Sequence, residues 1–182
     1  MAPNETARRV ELVEAIALIV LEDGLDALAL RGLAARLSTS GRMLLYHFGT
    51  KDALVRAVLM RISEQMAVLQ GAAASGARQT AGEFLGDMMQ AGIDPATAPF
   101  MRVWTDVIVR AARGEAPYCE IADKTVNAWL EWIVSRLHPA PDNDAKAAAV
   151  LSIMEGITIL ELAQPGFTRQ ARRLLPALLD RC

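Results

Sequence analysis

The segment Ser38–Asp52, STSGRMLLYHFGTKD, constrains the fold of this chain more than any other. It contains two places where a helix has to stop, Ser38-Thr39 and Gly49-Thr50, with one short run between them. That run is predicted to be a helix from Ser40 to about Tyr46, and the run before it a helix from Leu30 to Leu37. Thr50 is a good N-cap, and Lys51-Asp52 opens a long helix to about Gln70, with Leu54, Val58 and Ile62 at helical spacing. Ahead of all this, residues 6–22 read as a first helix that stops at Gly24. Val10, Val13 and Ala17 mark one face of it and Leu12, Ile16 and Ile19 another, so burial on two sides is expected. Two short helices joined by a tight turn, after a buried first helix, make a three-helix unit of the helix-turn-helix type.

The rest of the chain has no internal repeat and continues in helical spacing. Stretches at 79–91, 95–112, 118–138, 143–163 and 168–180 are bounded by a Gly, Ala and Ser-rich loop at 71–78, by Asp94-Pro95, by Gly114 to Pro117, by Pro139 to Asp144 and by Pro165-Gly166. Pro176 falls inside the last stretch, where it kinks or restarts a helix. The expected fold is therefore all-α, with a helix-turn-helix domain over residues 1–50. The long helix joins it to a helical domain over 51–182.

Composition narrows the possible functions. Apolar residues make up 53% of the chain and mean hydropathy is +0.23, yet aromatics are only 5%. This apolarity exceeds what one subunit's core needs and points to a partner subunit or a ligand cavity. Cys119 and Cys182 cannot form a disulfide scaffold, which suits a reduced compartment. The apolar run Ala15–Leu21 is flanked by Glu11, Glu14, Glu22 and Asp23 and lacks a small-residue cleavage site, so no signal peptide and a cytoplasmic location are expected. No stretch is long enough to span a membrane, and no membrane partner is expected. An enzyme is not expected either. His47 and His138 are far apart, Cys119 has no adjacent His, and no metal-ligand spacing, phosphate loop or nucleophile motif is present; no cofactor or metal is implied.

Net charge is −2, which taken globally disfavours nucleic acid, but its distribution is uneven. Between Arg31 and Arg61 lie Arg31, Arg36, Arg42, Lys51, Arg56 and Arg61 against the single acid Asp52, six positive minus one negative. Phosphates respond to local charge. In helix-turn-helix geometry the second short helix presents its N-terminal side chains to base edges in the major groove. Here these are Thr39, Ser40, Gly41, Arg42 and Met43. Ser and Thr can bond several bases or phosphates, Arg can pair bidentately with guanine, and Met can touch a thymine methyl. Gly41 permits close backbone approach, and Lys51 adds charge at a helix start that already favours phosphate. Arg31, Tyr46 and His47 complete the candidate DNA-binding set. Phe48 is expected in the core, His47 also suits helix-end packing, and Arg36 and Arg56 read as solvated helix charges.

Over about its first sixty residues the chain resembles the tetracycline-repressor-type (TetR) family of bacterial regulators. The resemblance rests on Gly24, Leu33-Ala34, Ser40, Leu44, His47-Phe48 and Lys51-Asp52-Ala53-Leu54. Two departures stand out. The family's phosphate-contacting tyrosine is displaced from position 45 to Tyr46, a helical step of about 100°. The Ser or Thr that usually caps the second helix is replaced by Leu28 and Ala29, leaving Asp26 as a substitute cap. The resemblance implies a homodimer that binds a pseudo-palindromic double-stranded DNA operator, usually as a repressor, and is released by a small molecule. Phe84, Met88, Phe100, Met101, Trp104, Ile108, Trp129, Ile133 and Met154 are the candidates for lining a largely apolar effector site, with Asp106, Asn127 and Thr158 as polar anchors. The segment 143–163 is apolar on two faces; Val150, Ile153, Ile157 and Leu160, with Leu174 and Leu178 of the last helix, are the candidate dimer seam, a four-helix bundle of two helices per subunit. The alternative is a helical interaction protein that has lost DNA binding.

Overall fold

A computed structural model describes residues 3–73, 76–91 and 96–181. The break expected at Asp94-Pro95, residues 74–75 of the loop expected at 71–78, and Cys182 lie outside the described residues; 71–73 of that loop are instead helical. Among the described residues the regular elements are helical: α1 (Pro3–Asp23), a 3-10 turn (Leu25–Leu28), α2 (Leu30–Arg36), α3 (Gly41–Phe48), α4 (Lys51–Ala73), α5 (Ala81–Ala91), α6 (Ala98–Ala112), α7 (Tyr118–Arg136), α8 (Asn143–Ala163) and α9 (Arg169–Leu179). Gln79 and Leu137 form one isolated bridge rather than a strand. The chain divides into two compact units, Met1–Met66 with Arg102–Asp123, and Ala67–Met101 with Lys124–Cys182. This packing division differs from a functional cut at residue 50, because α4 stays with the first unit through Met66.

In the first unit, α3 packs against α1 and α2. Leu12, Ile16, Ala17, Ile19 and Val20 of α1 are buried, as are Leu33 of α2, Leu44 and Phe48 of α3, and Leu54, Val55, Val58 and Leu59 of α4. Each of these side chains other than Ala17 contributes about 1.5–3 kcal/mol on burial. The two-sided burial expected of α1 is not found: Val10 and Leu18 are exposed, and its core stripe is the Leu12–Ile16–Ile19 face together with Ala17 and Val20. Helix ends follow local chemistry. The Gly24 amide bonds to the Val20 carbonyl at 2.8 Å with φ at +84°, and Gly49 closes α3 on the Leu45 carbonyl at 2.7 Å with φ at +78°. Thr50 caps α4 by accepting from the Ala53 amide at 3.1 Å.

In the second unit, α5 packs against α8 and α9. Phe84, Leu85, Met88 and Met89 of α5, Ile133 and Leu137, Ala147, Val150, Leu151 and Ile157 of α8, and Leu179 of α9 form its core, with Trp129, Trp132, Ile153 and Met154 packed on it. Phe84 and Trp132 meet edge to face at 5.3 Å. Thr80 and Glu83 cap α5 reciprocally: the Glu83 amide donates to Thr80 Oγ1 at 3.1 Å, and the Thr80 amide to Glu83 Oε2 at 2.9 Å. The Asp180 carboxylate, just past α9, accepts from the Gly82 amide at 2.7 Å.

Candidate nucleic-acid interface

The turn between α2 and α3 is built from backbone hydrogen bonds. Ser38 sits at φ +49°, the Thr39 amide bonds to the Ala34 carbonyl at 2.9 Å, and the Ser38 amide to the Ala35 carbonyl at 3.4 Å. This is the paired closure of a helix whose chain reverses through one left-handed residue. Ser40 then caps α3, its Oγ accepting from the Met43 amide at 3.1 Å. The cap at α2 is absent: Ala29 offers no side-chain acceptor, and Asp26, the expected substitute, instead pairs with Arg110 at 2.7 Å.

α3 is two-faced. Leu44 and Phe48, one turn apart, are buried, whereas Arg42, Met43 and Tyr46 project outward, Met43 44% and Tyr46 66% exposed. Met43 therefore faces solvent and not the core. The one-residue displacement of the tyrosine puts an aromatic on the open face, since Leu45 is half-buried. Of the remaining candidates, Arg31, Ser40 and Lys51 are exposed, and Thr39, Gly41 and His47 are half-buried. His47 stacks edge-on to Tyr46 at 5.3 Å. A Cβ on Gly41 would lie 3.8 Å from Leu30 Cβ, so α3 begins beside the start of α2, next to Arg31.

The six cations between Arg31 and Arg61 divide into two sets. Arg36 pairs with Asp23 and with Glu22 (3.3 Å), Arg56 with Glu120 (2.7 Å), and Arg61 with Glu14 (2.5 Å) and Glu64 (3.3 Å). The hydrogen bonds to Glu14 and then Glu64 hold the Arg61 guanidinium above its ordinary pKa. Arg36 and Arg56 are thus not simple solvated charges; their partners are too far along the chain for local reading to find. Among the described residues, Arg31, Arg42 and Lys51 make no ion pair. Arg42 lies in the first turn of α3, Arg31 lies in the first turn of α2 next to Leu30, which adjoins Gly41, and Lys51 lies just beyond the end of α3. A helix of this length, about 12 Å, carries an open polar-and-aromatic face with free positive charge at both ends.

Sequence reasoning missed Arg9, whose guanidinium carbon stands 5.4 Å from the Phe48 ring centroid. It also missed the corner where Arg110 meets Asp26, Glu115 at 3.6 Å and the Tyr118 ring at 5.3 Å. Burial raises the Tyr118 phenol pKa, and Arg110 opposes that rise.

Against known families, residues 12–58 match the family described as bacterial regulatory proteins, tetR family. Over that segment the chain is similar to the tetR family. The matched tetR segment runs from the core stripe of α1 through α3 into α4 and so contains the whole turn. Solved structures extend the likeness over the full chain. A Rhodococcus sp. protein assigned to the TetR family of transcriptional regulators has TM-score 0.73 at 21% identity, covering 96% of this chain and 97% of its own. A transcriptional regulator of Rhodococcus sp. Rha1 has TM-score 0.71 at 22% identity, covering 94% and 91%. The multidrug binding protein EbrR, complexed with imidazole, has TM-score 0.72 at 18% identity, covering 98% and 90%. At these identities the likeness shows a shared fold, that of tetR-type transcriptional regulators. No curated protein matches the chain.

The effector and dimer candidates fall in different surroundings. Phe84, Met88 and Ile133 are buried in the second unit's core, with Trp129 and Met154 half-buried against it, and Phe100 and Met101 half-buried in the same unit. Trp104 and Ile108 belong to the first unit. Of the polar anchors, Thr158 is half-buried, and Asp106 and Asn127 are exposed. On the expected seam, Val150 is fully buried and Ile157 nearly so within their own subunit, which removes both from a subunit interface; helical periodicity cannot tell which neighbour covers an apolar face. Leu160 (45% exposed), Leu174 (63%) and Leu178 (52%) remain open, with Ile159 and Leu162 beside Leu160 on α8, while Ile153 is half-buried.

Proposed function

We propose that this chain is a homodimeric, ligand-responsive transcriptional repressor that binds a pseudo-palindromic operator. The observation that carries the reading is the open face of α3 with Arg31, Arg42 and Lys51 left without acid partners among the described residues, while Arg36, Arg56 and Arg61 are each paired with a carboxylate. Arg42, with Thr39, Ser40 and Met43, would read base edges, and Arg31, Tyr46, His47 and Lys51 would hold phosphates. Gly41 would let the backbone approach. Two such heads about 34–36 Å apart match one duplex turn.

The exposed leucines of α8 and α9 support a self-association surface, since about half or more of Leu160 (45%), Leu174 (63%) and Leu178 (52%) stays open within the subunit. EbrR, of like fold, is a multidrug binding protein, which supports a small, largely apolar effector here. Among the candidate lining residues, the half-buried Phe100, Met101, Trp129 and Met154 can reach a ligand without emptying the core. Release follows if the effector prefers the dimer state whose heads are wrongly spaced, because only differential affinity shifts a population. Filter binding with fragments of the source genome is the test. A few fragments are expected to be retained well above bulk DNA at moderate salt. Uniform retention, or none, would leave the alternative of an interaction protein without DNA binding.

A further inference from the structure

We propose that Arg9 is an additional grip on the DNA backbone, a phosphate-binding guanidinium that the recognition helix itself holds in place; this rests on the DNA-binding reading above. Arg9 lies on the N-terminal half of α1, and its guanidinium carbon is 5.4 Å from the centroid of the Phe48 ring. Phe48 is the last residue of α3, and only Gly49 and Thr50 separate it from Lys51. Contact with Phe48 therefore places a second cation at the same end of α3 as Lys51, remote from Thr39 to Met43, which begin the helix. That position suits the sugar-phosphate chain and not a base edge.

The chemistry of Arg9 is incomplete in the free protein. Its Nε is buried and makes no hydrogen bond, and among the described residues no carboxylate pairs with it. Its neighbour Arg8, by contrast, pairs with Glu11 at 2.8 Å. The ring face attracts the cation and fixes its plane, but it accepts none of the five guanidinium N–H groups. A half-buried charge with its Nε donor unmet and no carboxylate beside it is chemically suited to an anion offering two oxygens in a plane, and a phosphate diester supplies one. Stacking on Phe48 also restricts the side chain before DNA arrives, so less freedom is lost on binding.

The test is the salt dependence of binding to a fluorescently labelled random-sequence duplex several turns long. Arg9→Met and Arg9→Gln both delete the charge and keep a long side chain over Phe48. Each is expected to make the slope of log affinity on log salt shallower by about 1 per engaged head. Affinity at moderate salt should fall about three- to tenfold, with the melting temperature unchanged. Arg9→Lys, which keeps the charge, is expected to keep the slope. A wild-type slope in either folded uncharged variant, or an equal loss of slope in Arg9→Lys, overturns this assignment while leaving DNA binding by the wild type intact. A wild-type chain that binds no duplex overturns both this and the reading it rests on.

Discussion

Ser38 holds the turn between α2 and α3 at φ +49°, where a side chain costs roughly 1–2 kcal/mol relative to right-handed backbone. Glycine carries no such penalty, so Ser38→Gly is expected to stabilise the chain by about 1 kcal/mol in urea unfolding, after the extra chain entropy that glycine loses. A loss of stability would mean that the Ser38 side chain makes a contact worth more than the strain. Neighbouring positions show what sequence discloses at this scale. Thr50 could be identified as a cap because it bonds to an amide three residues ahead, whereas Ser40, expected as the first residue of its helix, proves to cap it in the same way. The fate of Asp26 could not: it is drawn to Arg110, far along the chain, and leaves α2 uncapped. Arg36 and Arg56 have the same explanation, since Glu22, Asp23 and Glu120 reach them only through folding.

At the scale of elements, α9 is fastened to α5 and α8 by polar groups at both its ends. Gly82 lies so close to α9 that a Cβ there would overlap the Pro176 carbonyl and the Asp180 carboxylate. Gly82→Ala is therefore expected to displace α9 and to destabilise the chain by about 1–3 kcal/mol, measurable by calorimetry; an unchanged melting temperature would contradict this close packing. At the other end, Glu161 accepts from the Thr168 hydroxyl, from the Gly166 amide at 2.6 Å and from the Thr168 amide at 3.0 Å, with Arg172 at 3.7 Å. The Thr168 hydroxyl foremost, then the Gly166 amide, holds its pKa below the ordinary 4.5. A depressed carboxylate contributes stability that is full above its unfolded pKa and is lost as pH falls through its folded one. The melting temperature of wild type should drop below about pH 4.5 more steeply than that of Glu161→Gln, and parallel curves would show that the corner contributes nothing. Periodicity disclosed that α8 and α9 are helices, but not that Val150 faces inward while Leu160 faces out. Both belong to one apolar pattern, and only packing against α5 separates them.

For the whole molecule, the account requires two copies, because one short helix reads too few bases to select an operator. Leu174→Asp combined with Leu178→Asp places charge on the open face of α9 and is expected to give monomers by light scattering, with operator affinity reduced about 100-fold or more. Persistence of the dimer would move the seam elsewhere. The fold of the first sixty residues could be read because turn, cap and stop signals are local there. The joining of residues 102–123 to that same unit could not, since it depends on contacts that no local pattern encodes. The central claim is that α3 enters a DNA groove with Arg42 and Lys51 free to act. The most direct measurement is the affinity of the Arg42→Glu, Lys51→Glu double variant for a fragment that the wild type selects. A fall of about 100-fold or more, with folding and oligomeric state unchanged, is the predicted result; undiminished affinity would contradict the account.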